Sequence, residues 1–319
     1  MRGICWEKIR PLTTKMMLNR KTMSSLRKVC FIGAGTQGCQ NSLRAAASGF
    51  EASVFDISSQ ALAEMKERQL GFVDRYVEVF GFESTELTHA IEKISRTTDI
   101  DEAINGADLV NESLPERMDL KLEFYTDIEY RVTDTTLLTT NTSSLPITPI
   151  SEVLEKPERF AALHFNGISR LVDVMPAPGT APESLARLED FARAIKSIPI
   201  TLRKDVPAYI ANNILMARLQ EALLLVLDGC ASIEDVDRSI GLIQTDIGPF
   251  AQMDRVGLDV IRDILFERAK RTGDQSATRA AAFVGSYVEK GALGTKSGQG
   301  FYTYPNAAWE KGEAFLQGL

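Results

Sequence analysis

The strongest constraint on the fold of this chain is a glycine pattern that begins at Gly33. The segment Gly33-Ala34-Gly35-Thr36-Gln37-Gly38 has the spacing GxGxxG and lies between the apolar run Lys28–Gly33 and a stretch with helical spacing. A second apolar run, Glu51–Asp56, ends in an acidic residue about twenty positions further on. A strand, a glycine turn, a helix and a second strand in this order predict a βαβ unit.

The glycine pattern also predicts a ligand, because each position has a physical role in binding a dinucleotide. Gly33 permits a tight turn, Gly35 lets a pyrophosphate approach the backbone, and Gly38 lets the helix pack closely on the strand. The helix N-terminus offers unpaired N–H groups and a positive dipole end. Asp56 can accept hydrogen bonds from ribose hydroxyls and repels a 2′-phosphate, which favours NAD over NADP. The alternative to a dinucleotide site is a glycine-rich turn with a buried acidic cap. The predicted NAD contacts are Gly33, Gly35, Thr36, Gln37, Gly38 and Asp56.

Apolar patterning along the chain predicts two domains. Short apolar runs alternate with helical stretches as far as Arg203, and from Val206 onward the apolar spacing is helical. We therefore predict an α/β, Rossmann-like, doubly wound and mostly parallel sheet over residues 28–203, followed by an all-helical domain over residues 204–319. Beyond the first βαβ unit, the candidate strands are Ala107–Leu114, Thr136–Thr142, Phe160–Phe165, Leu171–Met175 and Ser197–Leu202.

Composition excludes several classes of function. A net charge of −7 argues against a nucleic-acid partner, because phosphate neutralisation needs clustered Lys and Arg. No apolar run approaches the ~18–20 residues that cross a membrane, which predicts no membrane partner. Four dispersed cysteines and two histidines predict no zinc or iron–sulfur site and indicate reduced thiols in a reducing compartment.

Residues 1–27 differ in character from the rest of the chain. Together with Lys28 they carry eight basic residues and one acidic residue. A disordered extension, a mitochondrial presequence and a true structural extension are all compatible with this composition. The organised pattern begins abruptly at Lys28, which favours the disordered extension and a cytoplasmic rather than a mitochondrial location. A secretory signal is not predicted, because no apolar stretch follows the basic residues.

One of the two histidines is predicted to face an aspartate across a hairpin. The runs Phe160–Phe165 and Leu171–Met175 flank a short connection. In a tight antiparallel hairpin His164 pairs with Asp173 on the same face, with Cβ atoms roughly 5 Å apart. An imidazole held by a carboxylate is a general base that works near neutral pH. The alternative is a half-buried strand histidine with a chance carboxylate neighbour.

Three further polar segments are candidate site residues, each with an ordinary structural alternative. The segment 141–145 (NTSSL) follows a parallel strand, so its hydroxyls either hold a substrate oxygen or form a turn and an N-cap. Asn212 and Asn213 have low propensity for a helix interior. Either they place a polar group in an interdomain cleft, or one side chain is exposed and the other is hydrogen-bonded to the backbone. Glu116 and Lys121 follow a strand and belong either to the cofactor pocket or to a solvated first helical turn.

Seven ordered stretches between about Lys28 and Asn306 resemble the L-3-hydroxyacyl-CoA dehydrogenase family, which includes 3-hydroxybutyryl-CoA dehydrogenases and, more distantly, carnitine and L-gulonate dehydrogenases. They are VCFIGAGTQG, NESLPERMDLK, NTSSLPIT, RFAALHFN…LVDV, DVPAYIANNIL, IGPFAQMDRVGLD and KSGQGFYTYPN. The resemblance implies an NAD domain, a helical domain that forms a homodimer, and a catalytic His–acid dyad. It assigns His164 as the base, Asp173 as its acid partner, Ser143 and Asn212 as substrate-oxygen ligands, and Glu116 and Lys121 as neighbours of the nicotinamide.

Three features depart from the family pattern. The acid partner is an aspartate instead of the usual glutamate, and the segment after His164 is shorter and lacks a proline. The helical stretch that resembles the CoA-contacting arm mixes basic and acidic residues: Lys66, Arg68, Arg75, Glu78, Glu83 and Glu86. The predicted reaction is NAD-dependent oxidation of a short-chain L-3-hydroxyacyl-CoA. A free 3-hydroxy acid, such as a sugar acid or carnitine, is the alternative substrate, and a non-catalytic NAD-binding protein is the third hypothesis.

Overall fold

The computed structural model describes residues 26–244 and 247–318. Contacts divide the chain into two units, Met1–Tyr209 and Ile210–Leu319. The division lies slightly beyond the predicted boundary at 203/204, because Asp205 still accepts hydrogen bonds from two backbone N–H groups of the first unit, those of Ile147 and Thr148. Most of the predicted N-terminal extension, residues 1–25, lies outside the described residues.

The first unit is built on one sheet, and the described residues supply eight strands to it. The order is β3-β2-β1-β4-β5-β6-β7-β8, with every neighbouring pair parallel except β6 and β7. Strands β2 and β3 extend the sheet on one side of β1, and β4 to β8 extend it on the other side. The predicted doubly wound, mostly parallel sheet is therefore confirmed. The strands are β1 Lys28–Ile32, β2 Glu51–Phe55, β3 Ser95–Thr97, β4 Leu109–Glu112, β5 Leu137–Thr140, β6 Phe160–Phe165, β7 Leu171–Pro176 and β8 Ile198–Thr201.

Helices of the first unit connect these strands. The apolar spacing from Ser59 to about Phe80 predicts one helix, but the structure has two, α2 (Ser59–Leu70) and α3 (Val73–Phe80), because the chain breaks at Gly71 and Phe72. Several elements were not predicted, namely β3, α4, α5, α7 and α8. The helices are α1 Thr36–Ala47, α2 Ser59–Leu70, α3 Val73–Phe80, α4 Ser84–Lys93, α5 Ile100–Ile104, α6 Met118–Ile128, α7 Thr148–Glu152 and α8 Pro182–Ala194.

The sheet is buried on both faces, as parallel sheets require. Alternate residues of β1 belong to different core clusters, with Val29 and Phe31 on one face and Cys30 and Ile32 on the other. Both clusters are almost fully buried. The short apolar runs therefore form strands because each side chain has a core to enter, whichever way it points.

The second unit is helical, as predicted. Two buried aspartates hold its C-terminal segment: Asp254 accepts bonds from the N–H groups of Phe301 and Tyr302, and Asp237 accepts one from the Tyr302 hydroxyl. The helices are α9 Tyr209–Leu227, which begins at the last residue of the first unit, α10 Ile233–Gln244, α11 Pro249–Val256, α12 Leu258–Thr272, α13 Gln275–Val288 and α14 Glu313–Leu316.

Helix α9 bears on the expectation about membrane-crossing segments. It has 19 residues and a mean hydropathy of 1.4, so one helix among the described residues is long and apolar enough to cross a membrane by length and composition alone. This helix is not an unbroken apolar run, because Asn212, Asn213, Arg218, Gln220 and Glu221 interrupt it, so it does not contradict the expectation that no apolar run approaches this length. Within its unit α9 buries Met216, Leu219 and Leu223 in the core.

Candidate active site

The glycine turn after β1 requires glycine at two positions. Gly33 has φ of +103°, and a Cβ there would lie 2.8 Å from the carbonyl oxygen of Ser113. A Cβ on Gly38 would lie 1.8 Å from the carbonyl oxygen of Gly33. A Cβ on Gly35 would meet no described atom within 4 Å, so this side of the turn is open. The open side adjoins the N-terminus of α1, and together they fit a dinucleotide pyrophosphate.

Asp56 lies against this turn, as its position after β2 predicted. Its Oδ2 accepts the Ala34 N–H at 2.7 Å, and its Oδ1 accepts the Ser58 N–H at 2.8 Å. A carboxylate oxygen can accept more than one hydrogen bond, so both oxygens retain capacity for ribose hydroxyls. The half-buried carboxylate therefore orders the glycine turn and marks the ribose end of the predicted cofactor site.

Lys121 is buried rather than solvated, so the alternative of a solvated helical turn is wrong for this residue. Its side chain is 1% exposed, and its Nζ lies 2.5 Å from Oε1 of Glu112, which is fully buried at the end of β4. The other carboxylate oxygen of Glu112 accepts the Thr140 hydroxyl at 2.7 Å. The sequence did not predict this ion pair. The assignment of Lys121 as a neighbour of the nicotinamide stays a prediction.

Glu116 organises the turn that follows β5. Its Oε1 accepts the Thr142 hydroxyl at 2.7 Å and the N–H groups of Ser143 and Ser144, both at 2.8 Å. Burial alone would raise the pKa of Glu116, but the hydrogen bonds from Thr142 and Ser144 and the charge of Lys121 lower it. The carboxylate is therefore ionised, and it fixes the backbone that carries Ser143.

Ser143, His164 and Asp173 form a hydrogen-bonded row. Strands β6 and β7 pair His164 directly with Asp173, which confirms the predicted register. His164 Nδ1 lies 3.1 Å from Oδ2 of Asp173, and its Nε2 lies 3.2 Å from Oγ of Ser143. An ionised carboxylate only accepts hydrogen bonds, so Nδ1 carries the proton and Nε2 is free to accept one. The row therefore has the arrangement of a general base with an oriented imidazole.

Three residues that support this row were missed as site residues. Asn166 donates to Oδ2 of Asp173 at 2.8 Å. Asn141 accepts the Phe165 N–H at 2.8 Å and so ties the end of β5 to β6. The ring of Tyr209 stacks on the ring of His164 with centroids 4.4 Å apart. The sequence offered a signal only for Asn141, which lies in the polar segment after β5.

The remaining predicted ligand, Asn212, belongs to the second unit, where it lies half-buried on α9. Its role as a substrate-oxygen ligand stays a prediction. Within the described residues, no group of three His, Cys, Asp or Glu side chains is arranged to hold a metal ion. Cys30, Cys39 and Cys230 are free thiols in this part of the chain.

Family profiles cover nearly all of the described chain. The profile of the 3-hydroxyacyl-CoA dehydrogenase NAD binding domain matches residues 28–206, and that of the 3-hydroxyacyl-CoA dehydrogenase C-terminal domain matches residues 209–304. This chain belongs to the 3-hydroxyacyl-CoA dehydrogenase family. It is an NAD-dependent oxidoreductase, and the glycine turn, α1 and Asp56 are the parts of the first unit that suit NAD.

The names of relatives in the 3-hydroxyacyl-CoA dehydrogenase family refer to different substrates. The chain is 30% identical to 5-formyl-3-hydroxy-2-methylpyridine 4-carboxylate 5-dehydrogenase of Mesorhizobium japonicum, over 88% of this chain and 91% of that protein. It is 30% identical to the human mitochondrial hydroxyacyl-coenzyme A dehydrogenase over the same shares. The crystal structure of (S)-3-hydroxybutyryl-CoA dehydrogenase from Ralstonia eutropha matches with a TM-score of 0.81 and 28% identity, covering 88% of this chain and 100% of that one.

Proposed function

We propose that this dehydrogenase oxidises the 3-hydroxy group of a short-chain L-3-hydroxyacyl-CoA to the corresponding 3-ketoacyl-CoA, in a reversible reaction. The observation that carries the proposal is the row Ser143–His164–Asp173. The row and the glycine turn lie at the same edge of one sheet, because the glycine turn and Ser143 follow the carboxyl ends of β1 and β5, and His164 lies near the carboxyl end of β6. Relatives named as hydroxyacyl-CoA dehydrogenases support the choice of substrate class.

The residues of this chain divide the chemistry between them. NAD, when bound, supplies the acceptor for the hydride that leaves the hydroxyl-bearing carbon. His164 Nε2 takes the hydroxyl proton as the carbonyl forms, and the imidazolium returns it in the reverse direction. Asp173 holds Nδ1–H and stabilises the positive charge that develops on the ring. The Ser143 hydroxyl hydrogen-bonds the substrate oxygen while its charge changes.

The proposal is tested by measuring NADH formation from (S)-3-hydroxybutyryl-CoA, and NADH consumption with acetoacetyl-CoA, in the purified protein. We expect turnover in both directions with the CoA thioesters and loss of turnover in His164→Gln. Turnover that survives in His164→Gln would contradict the role of the row, whatever the substrate.

A free 3-hydroxy acid is the second candidate substrate, and the arm formed by α2 and α3 favours it. Lys66 pairs with Glu92 at 2.6 Å, and Arg75 pairs with Glu78 at 2.5 Å. Arg68 donates to the carbonyl oxygen of Ala61 at 2.6 Å. These cations are thus engaged within the chain, whereas CoA phosphates call for available cations.

The two candidates separate in one assay. The same enzyme preparation is given CoA thioesters and free hydroxy acids, including carnitine and L-gulonate, at matched concentrations with NAD. A kcat/KM that is higher for a free acid than for 3-hydroxybutyryl-CoA would replace the first candidate with the second. Activity toward neither class, with NAD still bound, would contradict both candidate substrates.

We further propose a homodimer formed through the helical unit. Support comes from α9, whose side chains Ile210, Ile214 and Leu225 are 47%, 67% and 39% exposed. Ile210 and Ile214 are neighbours on one face of the helix, and exposed apolar surface of this kind is typical of an interface between subunits. Light scattering coupled to size-exclusion chromatography gives the mass in solution. We expect a dimer for the wild type and a shift toward monomer for Ile214→Glu.

A further inference from the structure

Tyr209 makes two contacts with the catalytic row that the family assignment does not explain. Its ring lies parallel to the imidazole of His164, with an interplanar angle of 4° and centroids 4.4 Å apart. Its hydroxyl donates to the carbonyl oxygen of Thr142 at 2.8 Å. Thr142 immediately precedes Ser143, so one side chain contacts both the base and the turn that carries the oxygen ligand.

The position of this side chain is held firmly. Tyr209 is 1% exposed, and burial, followed by the nearby charge of Asp173, raises its pKa well above the usual value, so the phenol stays a neutral donor. Tyr209 and the preceding Ala208 have φ of +53° and +67°, in the left-handed region that disfavours residues with a side chain. Such backbone persists only where surrounding contacts impose it.

The two contacts have distinct physical effects. The imidazole of His164 can turn about its Cβ–Cγ bond, and its hydrogen bonds to the rotatable side chains of Asp173 and Ser143 restrain that rotation incompletely. A parallel aromatic neighbour restrains that rotation and also attracts the imidazolium that forms during turnover. The hydrogen bond from the Tyr209 hydroxyl holds the Thr142 carbonyl in place. It thereby fixes the position of Ser143 relative to the plane of the His164 ring.

We propose that Tyr209 is a positioning residue that sets the ring plane of His164 and, through Thr142, the placement of Ser143. This inference rests on the proposed role of His164 as the general base. Misplacement of a reacting group by about 1 Å costs about 100-fold in rate, so we expect Tyr209→Leu to lower kcat by about 10–100-fold. Tyr209→Phe keeps the ring and loses one hydrogen bond, so we expect its kcat to fall by about 2–10-fold.

The ring stack can be tested without a substrate, because the chain contains only two histidines, His89 and His164. Histidine-selective ¹³C and ¹⁵N labelling gives two sets of ring signals, and His164→Gln assigns them. Protons held over an aromatic face resonate upfield. We expect His164 ring protons to be shifted upfield in the wild type and in Tyr209→Phe, and to lose that shift in Tyr209→Leu. The ¹⁵N shifts should show the Nδ1–H form in the wild type and a mixture of ring forms in Tyr209→Leu.

Kinetics supply the second measurement, with Tyr130→Phe and Tyr130→Leu as matched controls, since Tyr130 is 68% exposed. We expect the Tyr209 variants to lower kcat with little change in the affinity for NAD, and the Tyr130 variants to leave both unchanged. Tyr209→Phe carries the test if Tyr209→Leu does not fold. Unshifted His164 signals in the wild type, or a wild-type ring shift in folded Tyr209→Leu, would overturn the proposal. If Tyr209→Leu does not fold, a wild-type kcat in Tyr209→Phe would overturn it. Activity in His164→Gln would instead overturn the proposed function and leave the ring measurement intact.

Discussion

Asp173 lies directly across the β6–β7 hairpin from His164, and its Oδ2 is 3.1 Å from Nδ1 of the imidazole. Residues opposed in an antiparallel pair have Cβ atoms about 4.5–5.5 Å apart, so the short aspartate side chain reaches the ring without help from the loop. The shortened connection after His164 therefore leaves the pair intact. Asn166, in that connection, adds a second donor to the same carboxylate oxygen.

Asp173→Asn is expected to lower kcat by about 10²–10⁴-fold, because an amide cannot hold the Nδ1–H form or stabilise the imidazolium. The affinity for NAD should stay within error, since Asp56 and the glycine turn are unchanged. Steady-state kinetics measure kcat, and a cofactor titration measures the affinity for NAD. Asp190→Asn, a surface change at a residue paired with Arg193, is the matched control. An unchanged kcat in Asp173→Asn would remove the carboxylate from the mechanism.

Glu116→Gln is expected to loosen the turn that carries Ser143. A neutral amide accepts weaker hydrogen bonds than a carboxylate, which corresponds to a decrease in kcat of about 5–30-fold. Because the fold lowers the pKa of Glu116 below its value in the unfolded chain, the carboxylate stabilises the fold above the unfolded-state pKa, and this contribution is lost as the pH falls through the folded-state pKa. The stability difference between wild type and variant should therefore narrow in acid.

Denaturant unfolding at pH 7 and at successively lower pH checks this dependence. Glu123→Gln, an exposed residue of the same helix α6, serves as the control and should show no such trend. A stability advantage of the wild type that grows as the pH falls would mean that the fold raises the pKa of Glu116 instead of lowering it.

Local patterns predicted the parts of the molecule that depend on near neighbours. The glycine spacing gave the β1–α1–β2 unit, and two alternating runs with a short connection gave the register of His164 and Asp173. The break between α2 and α3 was not predicted, because the helical spacing of the residues continues on both sides of Gly71. Tyr209 and His164 are distant in sequence, and their stacking depends on the path of the chain after β8, which no periodicity specifies.

Lys121→Met is expected to destabilise the first unit by about 3–5 kcal/mol, because it leaves the Glu112 carboxylate buried without its cation. The double variant Glu112→Gln/Lys121→Met should recover part of that loss, since it removes the uncompensated charge. Urea unfolding of the single and double variants measures both effects. Lys156→Met breaks an exposed pair with Asp134 and should cost no more than about 1 kcal/mol.

The cofactor titration of Lys121→Met also decides between two roles for the lysine. A purely structural ion pair predicts unchanged NAD affinity in whatever fraction stays folded. A loss of affinity in the folded fraction would instead support the predicted position beside the nicotinamide. Equal stability of wild type and Lys121→Met would contradict the buried ion pair itself.

Two alanine substitutions in the glycine turn should separate cofactor binding from folding. A Cβ at Gly35 meets no described atom within 4 Å, so Gly35→Ala should fold with wild-type stability. The added methyl group occupies the open side where a pyrophosphate approaches, and we expect NAD affinity to fall at least about tenfold, or about 1.4 kcal/mol. Titration of NAD by quenching of protein fluorescence measures the affinity, and a thermal melt measures the stability.

Gly38→Ala provides the contrast, because its Cβ would lie 1.8 Å from the carbonyl oxygen of Gly33. Helix α1 must then move away from β1, at a cost of about 1–3 kcal/mol, typical of an overpacked interior. Gly38→Ala should therefore lose both stability and NAD affinity, whereas Gly35→Ala loses affinity alone. If Gly35→Ala binds NAD as tightly as the wild type, the pyrophosphate does not pass over Gly35, and the cofactor enters this edge of the sheet by a different path.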